Sequence, residues 1–213
     1  MRRCGCRPEL RDLTGATPGP PVASAVVKTR DLTYIALFAA VTAVLGLVPA
    51  VQVGPVPITA QTLGVMLAGS ILGARRAFLS QVLFLVLVAI GLPVLPGGGG
   101  GLAVFAGPTA GYLISWPIAA FVIGLLTERF WGRYNVARGV VANVVGGILV
   151  VYLIGVPVLK AVSGLPWSDA VWFGAAVFIP GDLIKAVIAA VIADQVRRSY
   201  PVIERPRRTV AVR

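Results

Sequence analysis

Residues 171–196 read VWFGAAVFIPGDLIKAVIAAVIADQV. The run exceeds the roughly 20 residues that a perpendicular helix needs to cross a bilayer. Near its middle stand Asp182 and Lys185, 13 residues after Asp169 and 12 before Arg197. At i and i+3 the two share one helix face. They directly follow Pro180-Gly181. Proline has no N–H to give the preceding turn, so the helix is predicted to break or bend there, leaving backbone groups that lipid cannot satisfy. An ion pair that merely pins a bundle is the plain reading. Ionisable residues inside a span mark functional sites by default, and the sharper reading is a polar ligand site. Its carboxylate would accept from N–H groups, and its ammonium would donate to a carbonyl or carboxylate.

Five more apolar runs precede this one, at 32–48, 58–72, 77–90, 108–126 and 136–156. The second and third are short for a span. Arg75 and Arg76 between them predict a hairpin, because two adjacent arginines at mid-bilayer would cost several kcal/mol. Assigning alternate loops to opposite sides places seventeen of the nineteen Lys and Arg residues on one side. They lie before the first run, between the second and third, between the fourth and fifth, and after the sixth. The opposite loops at 49–57 and 92–107 contain no charge. Cytoplasmic loops hold the Lys and Arg of a membrane protein. The expectation is an all-α integral membrane protein of six transmembrane helices over residues 31–197, with both termini cytoplasmic. Residues 1–30 are expected to be a disordered basic extension and 198–213 a basic cytoplasmic tail. A cleaved signal peptide is not expected, because the basic region is too long and Val48-Pro49-Ala50 is a poor cleavage site.

Composition agrees. The chain is 57% hydrophobic and 13% charged, whereas soluble domains are near one quarter charged. A net charge of +11 would suit nucleic acid if it formed a patch, but its distribution among loops is that of a membrane protein. The chain has no histidine, which excludes histidine-dependent catalysis and removes the commonest transition-metal ligand. Cys4 and Cys6 alone fall short of the four ligands a metal site normally takes, so no metal and no cofactor is expected.

Three further stretches stand out, each bordering an uncharged loop. They are Val56-Pro57-Ile58-Thr59-Ala60-Gln61-Thr62, the run Pro96-Gly97-Gly98-Gly99-Gly100-Gly101, and Gly107-Pro108-Thr109-Ala110-Gly111-Tyr112. Pro57 and Pro108 suit the first turn of a helix, where a missing N–H costs nothing. Thr59, Gln61, Thr62, Thr109 and Tyr112 then cluster at one face of the bundle. Singly, each is explained by capping or interhelical hydrogen bonding. Their convergence favours a pocket. Gly98, Gly99, Gly100 and Gly101 form either a flexible linker or a lid whose backbone can approach a ligand. They lack the Gly-Lys-Ser/Thr ending of a phosphate-binding loop, so this chain does not drive transport with ATP of its own. Ala36 and Ala40, at i and i+4 in the first run, would let another helix approach closely.

These residues in this order resemble the BioY family, the biotin-binding S components of energy-coupling factor (ECF) vitamin transporters. The resemblance covers about residues 34–197. It rests on Pro57-Ile58-Thr59, Gln61-Thr62-Leu63, Leu67-Ala68-Gly69 with Leu72-Gly73, Gly91-Leu92-Pro93-Val94, the glycine run, Gly107-Pro108-Thr109-Ala110-Gly111-Tyr112-Leu113, and Pro180-Gly181-Asp182-Leu183-Ile184-Lys185. The resemblance implies a six-helix subunit of the cell membrane that binds biotin with high affinity from outside. It also implies a separate transmembrane coupling subunit with two cytoplasmic ATPases, which docks on the Ala36 and Ala40 face. Asp182, Lys185, Gln61, Thr109, Tyr112 and Gly181 are the implied biotin-binding residues. The chain departs from the family pattern at Leu95-Pro96 and at Ser115-Trp116-Pro117. Of three rivals, the first two are an S component for another vitamin, with different pocket chemistry, and an intramembrane enzyme, for which Asp182 lacks a second aspartate. A purely structural protein would leave the Asp182 and Lys185 pair no use beyond pairing.

Overall fold

The computed structural model describes residues 29–200 and 202–203. The N-terminal extension with Cys4 and Cys6, and the tail from residue 204, lie outside the described residues. Six helices form the bundle: α1 Thr29–Gly46, α2 Gln61–Leu72, α3 Ala74–Ala89, α4 Ala110–Phe130, α5 Val136–Ser163 and α6 Trp167–Ser199. This is the all-α membrane architecture expected from the runs. The helices α1, α4, α5 and α6 are long and apolar enough to cross a bilayer, whereas α2 and α3 have 12 and 16 residues.

The outer layer has the composition of a lipid-facing surface. Leu153 is 77% exposed, and Ile184, Leu149 and Val86 are at least half exposed. The interior is built from small residues, because without a hydrophobic drive between helices in lipid, close backbone approach supplies the attraction. Ala68, Ala77, Ala119, Ala120, Ala186, Ala189 and Ala190 are fully buried. Closest is the crossing of α4 with the start of α3, where a Cβ on Gly124 would lie 2.3 Å from the Ala74 nitrogen. Beside it, one on Gly146 would lie 2.9 Å from the Ala119 carbonyl oxygen.

Three boundaries differ from the sequence reading. Ile58 does not open the second helix: β1 Val51–Val53 and β2 Val56–Ile58 form an antiparallel hairpin, and the helix begins at Gln61. The β-branched residues around Gly54-Pro55 suit extended pairing better than a helical turn, and Pro57 lies in a strand, not in a first turn. Pro108 likewise precedes α4, whose N-cap is Thr109. Third, Arg75 and Arg76 are not in a loop: α2 and α3 meet at Gly73 alone, with φ +82°, and both arginines lie in the first turn of α3. That turn still lies at the end of a hairpin, and the Ala74 N–H that α3 leaves open is taken by Glu128 Oε1 at 2.8 Å.

Both long C-terminal helices contain a π-helical segment, Val144–Val150 in α5 and Trp172–Ala176 in α6. The second is the predicted irregularity beside Pro180. Regular α geometry resumes at Ile179, and Pro180 occupies the first turn of that segment. The proline ring excludes the carbonyl four residues back, at Ala176, where the π segment ends. The first segment runs directly into Val151 and Tyr152, which face the cavity described next.

Candidate functional site

The starts of α2 and α4, the middles of α5 and α6, the hairpin and the α3–α4 connection enclose a cavity of about 210 Å³. It sits at the end of the bundle where the connections contain no charge. Val56, Pro57, Leu95, Pro96, Val104, Leu113, Trp116, Val151 and Phe178 supply apolar walls. One pole is polar. Lys185 Nζ donates to the Thr59 carbonyl at 2.6 Å, to Thr62 Oγ1 at 3.0 Å and to Asp182 Oδ1 at 2.9 Å. Thr62 Oγ1 donates in turn to Asp182 Oδ1 at 3.2 Å, and the Tyr152 hydroxyl donates to Asp182 Oδ2. The side chains of Asp182 and Lys185 are 4% and 16% exposed. A charge pair so far from water holds because each group is hydrogen-bonded as well as paired.

Local structure explains how the pole is assembled. In α6, i and i+3 spacing stacks Asp182 and Lys185 toward α2. In α2, Thr62 lies in the first turn, and the Thr59 carbonyl just before the helix is not spent on an intrahelical bond. Beneath this layer, Asn143 of α5 accepts from Ser70 of α2 at 2.9 Å and donates to the Ala186 carbonyl of α6 at 3.3 Å. The three helices that carry the pole are therefore tied together one layer further in.

Of the residues singled out from sequence, Asp182, Lys185, Gln61, Thr109 and Tyr112 all line the cavity. Gln61 is fully buried, and its Nε2 donates to Val94 O at 3.0 Å and Thr42 O at 3.3 Å. It thereby joins α1 to the connection that covers the cavity. Tyr112 donates to the Gly174 carbonyl at 2.7 Å, within the π segment of α6, and meets the Tyr152 ring edge to face at 6.5 Å. Gly181 is not on the lining, and of the glycine run only Gly99 is. Gly97, Gly98 and Gly101 have φ between +72° and +88°, and a Cβ at Gly100 would lie 2.4 Å from the Leu92 carbonyl oxygen. The run is therefore folded, held by Gly101 N–H to Val88 O at 2.8 Å and Leu95 N–H to Gly99 O at 3.1 Å. It brings Leu95 and Pro96 over the cavity. Ala36 and Ala40 are both exposed on the outer face of α1.

Two contributors escaped the sequence reading. Tyr152 sits alone in an apolar run, with no neighbouring signal to mark it. Trp116, buried against Phe84 with ring centroids 5.8 Å apart, belongs to the Ser115-Trp116-Pro117 departure.

A membrane-embedded helical bundle with an apolar cavity, polar at a single pole and bordered by a connection at the uncharged end, is a small-molecule binding membrane protein by fold and by site. The chain belongs to the BioY family, which matches residues 20–202. It is 50% identical over 184 residues to the biotin transporter BioY of Rhizobium etli, covering 83% of this chain and 98% of that one. Over 176 residues it is 46% identical to a probable biotin transporter BioY of Bacillus subtilis, covering 82% and 94%. Among solved structures, the S component for biotin from an ECF-type ABC transporter is similar with a TM-score of 0.76 and 37% identity, over 80% of this chain and 92% of that one.

Proposed function

We propose that the chain is the biotin-specific S component of an ECF-type transporter, binding biotin in the cavity with Asp182 as the central ligand-binding group. The observation that carries the assignment of the site is the buried Asp182 and Lys185 pair at the one polar pole of an apolar cavity. Biotin matches that division: an apolar bicycle bears a ureido group with two N–H donors, and a valerate chain ends in a carboxylate. Asp182 accepts from ureido N–H, Lys185 pairs with Asp182 and orients it, and Tyr112 and Trp116 pack the bicycle. Thr109 lines the cavity near the α3–α4 connection, and the buried Gln61 anchors that connection to α1 through Val94.

Such a subunit is not an enzyme. Its release step is driven by a transmembrane coupling subunit and two cytoplasmic ATPases, with α1 offering the small, exposed Ala36 and Ala40 as the docking face. We take the membrane to be the cytoplasmic one, with the arginine-bearing end inside, an orientation that the distribution of basic residues supports.

The test is uptake of labelled biotin by a host lacking biotin uptake, expressing the chain together with an ECF module. Wild type is expected to accumulate biotin, and Asp182→Asn to lose accumulation while reaching the membrane in equal amount. Equal uptake by both proteins would remove Asp182 from the site.

A further inference from the structure

The polar pole can be counted proton by proton. An ammonium has three protons, and all three of Lys185 are taken by Thr59 O, Thr62 Oγ1 and Asp182 Oδ1. The one hydroxyl proton of Thr62 goes to Asp182 Oδ1, and that of Tyr152 goes to Asp182 Oδ2. None of Lys185, Thr62 and Tyr152 has a proton left. What remains is acceptor capacity: an ionised carboxylate offers about four lone-pair sites, of which three are used, and the Tyr152 oxygen keeps its own lone pairs. Both lie on the cavity lining, on α6 and α5 respectively.

We infer that this pole reads hydrogen-bond donors only, with Asp182 Oδ2 and the Tyr152 hydroxyl oxygen accepting one ligand N–H each. Tyr152 is thus a specificity-determining residue. Lys185 is a positioning residue that does not touch the ligand. Resting on the biotin reading, this deepens it: the two ureido N–H groups point at α5 and α6, and the ureido carbonyl and the carboxylate point elsewhere. A ring of the same size that presents a lone pair where an N–H belongs is refused, because a lone pair would face lone pairs with no proton between them.

The test uses the two cyclic carbamate analogues of biotin, in which one or the other ureido N–H is replaced by oxygen, so that shape is kept and one donor is lost. Each competes with labelled biotin for the purified wild-type protein and for Tyr152→Phe. In wild type both carbamates are expected to bind about 100-fold or more weakly than biotin. In Tyr152→Phe, the penalty for one isomer, the one lacking the N–H that faces position 152, is expected to shrink about tenfold or more, while the other stays refused. A general loosening of the cavity would not move the two isomers apart. Wild-type affinity for either carbamate within a few-fold of biotin, or penalties unchanged by Tyr152→Phe, overturns the inference and leaves the biotin reading in place. Should the variant not fold, the wild-type competition still decides whether the pole reads donors only. Absence of binding by biotin itself would remove both.

Discussion

At the end where α1 and α3 begin and α4 and α6 finish, charges meet in pairs near the surface. Arg76 bonds Asp31 at 3.0 Å and the Val202 carbonyl at 3.0 Å, and Asp194 holds Arg197 and Arg198 at 3.1 and 2.7 Å. Arg197 also lies over the Tyr134 ring, 5.2 Å from its centroid. Burial, helped by Asp194, pushes the Tyr134 hydroxyl up to about 12, so that ring stays neutral throughout the physiological range. Halfway along α6 a single pair, Asp182 and Lys185, sits enclosed with both partners fully engaged. The same chemistry serves two purposes. Water reaches Asp31, Arg76, Arg197 and Arg198 in the first set, although Asp194 is itself buried, so losing one of those arginines costs little; the Asp182 and Lys185 pair is more enclosed, and losing either partner there costs more.

α4 carries the contrast within one helix. Its first half turns Tyr112, Leu113 and Trp116 toward the cavity, while its second half packs Ala119, Ala120, Ile123 and Gly124 against α2, α3 and α5 with no space between. The largest expected effect of a substitution is therefore in the closed half. Gly124→Leu places a side chain against the Ala74 backbone, which a flexible neighbour cannot vacate, and overpacking of this kind costs at least about 1–3 kcal/mol. The expected outcome is loss of monodisperse protein in size-exclusion chromatography, whatever ligand is added. A normally folded Gly124→Leu would show that the closed half is looser than its contacts imply.

Next in size is the enclosed pair. Asp182→Asn is expected to weaken biotin binding about 100-fold or more, because a donor amide then faces the ligand N–H groups and Lys185 loses its counter-charge. Lys185→Met is expected to weaken binding about tenfold and to lower thermal stability, because its loss leaves a buried carboxylate without its cation. Equilibrium binding and thermal melts of the two variants separate these effects. An affinity loss for Lys185→Met as large as that for Asp182→Asn, with no change in melting, would place Lys185 in direct contact with the ligand. Smallest is Asp31→Asn at the other end, expected to cost at most about 1 kcal/mol, or roughly 2–4 °C in Tm for a chain of this size, with biotin affinity unchanged. A change in affinity there would couple the two ends in a way the contrast does not allow.

Most of the bundle was legible in the sequence. Hydropathy marks each helix, and the alternation of arginine-bearing and uncharged connections orders them, because both report transfer into lipid, which acts residue by residue. The ends of helices were less legible. Whether Val56, Pro57 and Ile58 start α2 or pair with Val51–Val53 depends on a partner strand, and whether Arg75 lies before or inside α3 depends on Glu128 of α4, 54 residues along the chain. At the site, Asp182 and Lys185 announce themselves because charge in a span is costly. Gln61, Thr109 and Tyr112 border a recognisable turn. Tyr152 carries no such mark, since a tyrosine in an apolar run is compatible with many surroundings, and only the packing of α5 against α6 brings it to Asp182. Gly181 was implied in the site by the resemblance, yet adjacent residues of a helix point about 100° apart, and beside Asp182 it is not on the lining.

The most direct test of the central claim is equilibrium binding of labelled biotin to the purified chain alone in detergent, with excess unlabelled biotin, riboflavin or thiamine as competitor. Saturable binding displaced by biotin and not by the other two is the expected result. A folded protein that fails to bind biotin, or releases it to riboflavin or thiamine, would contradict the account.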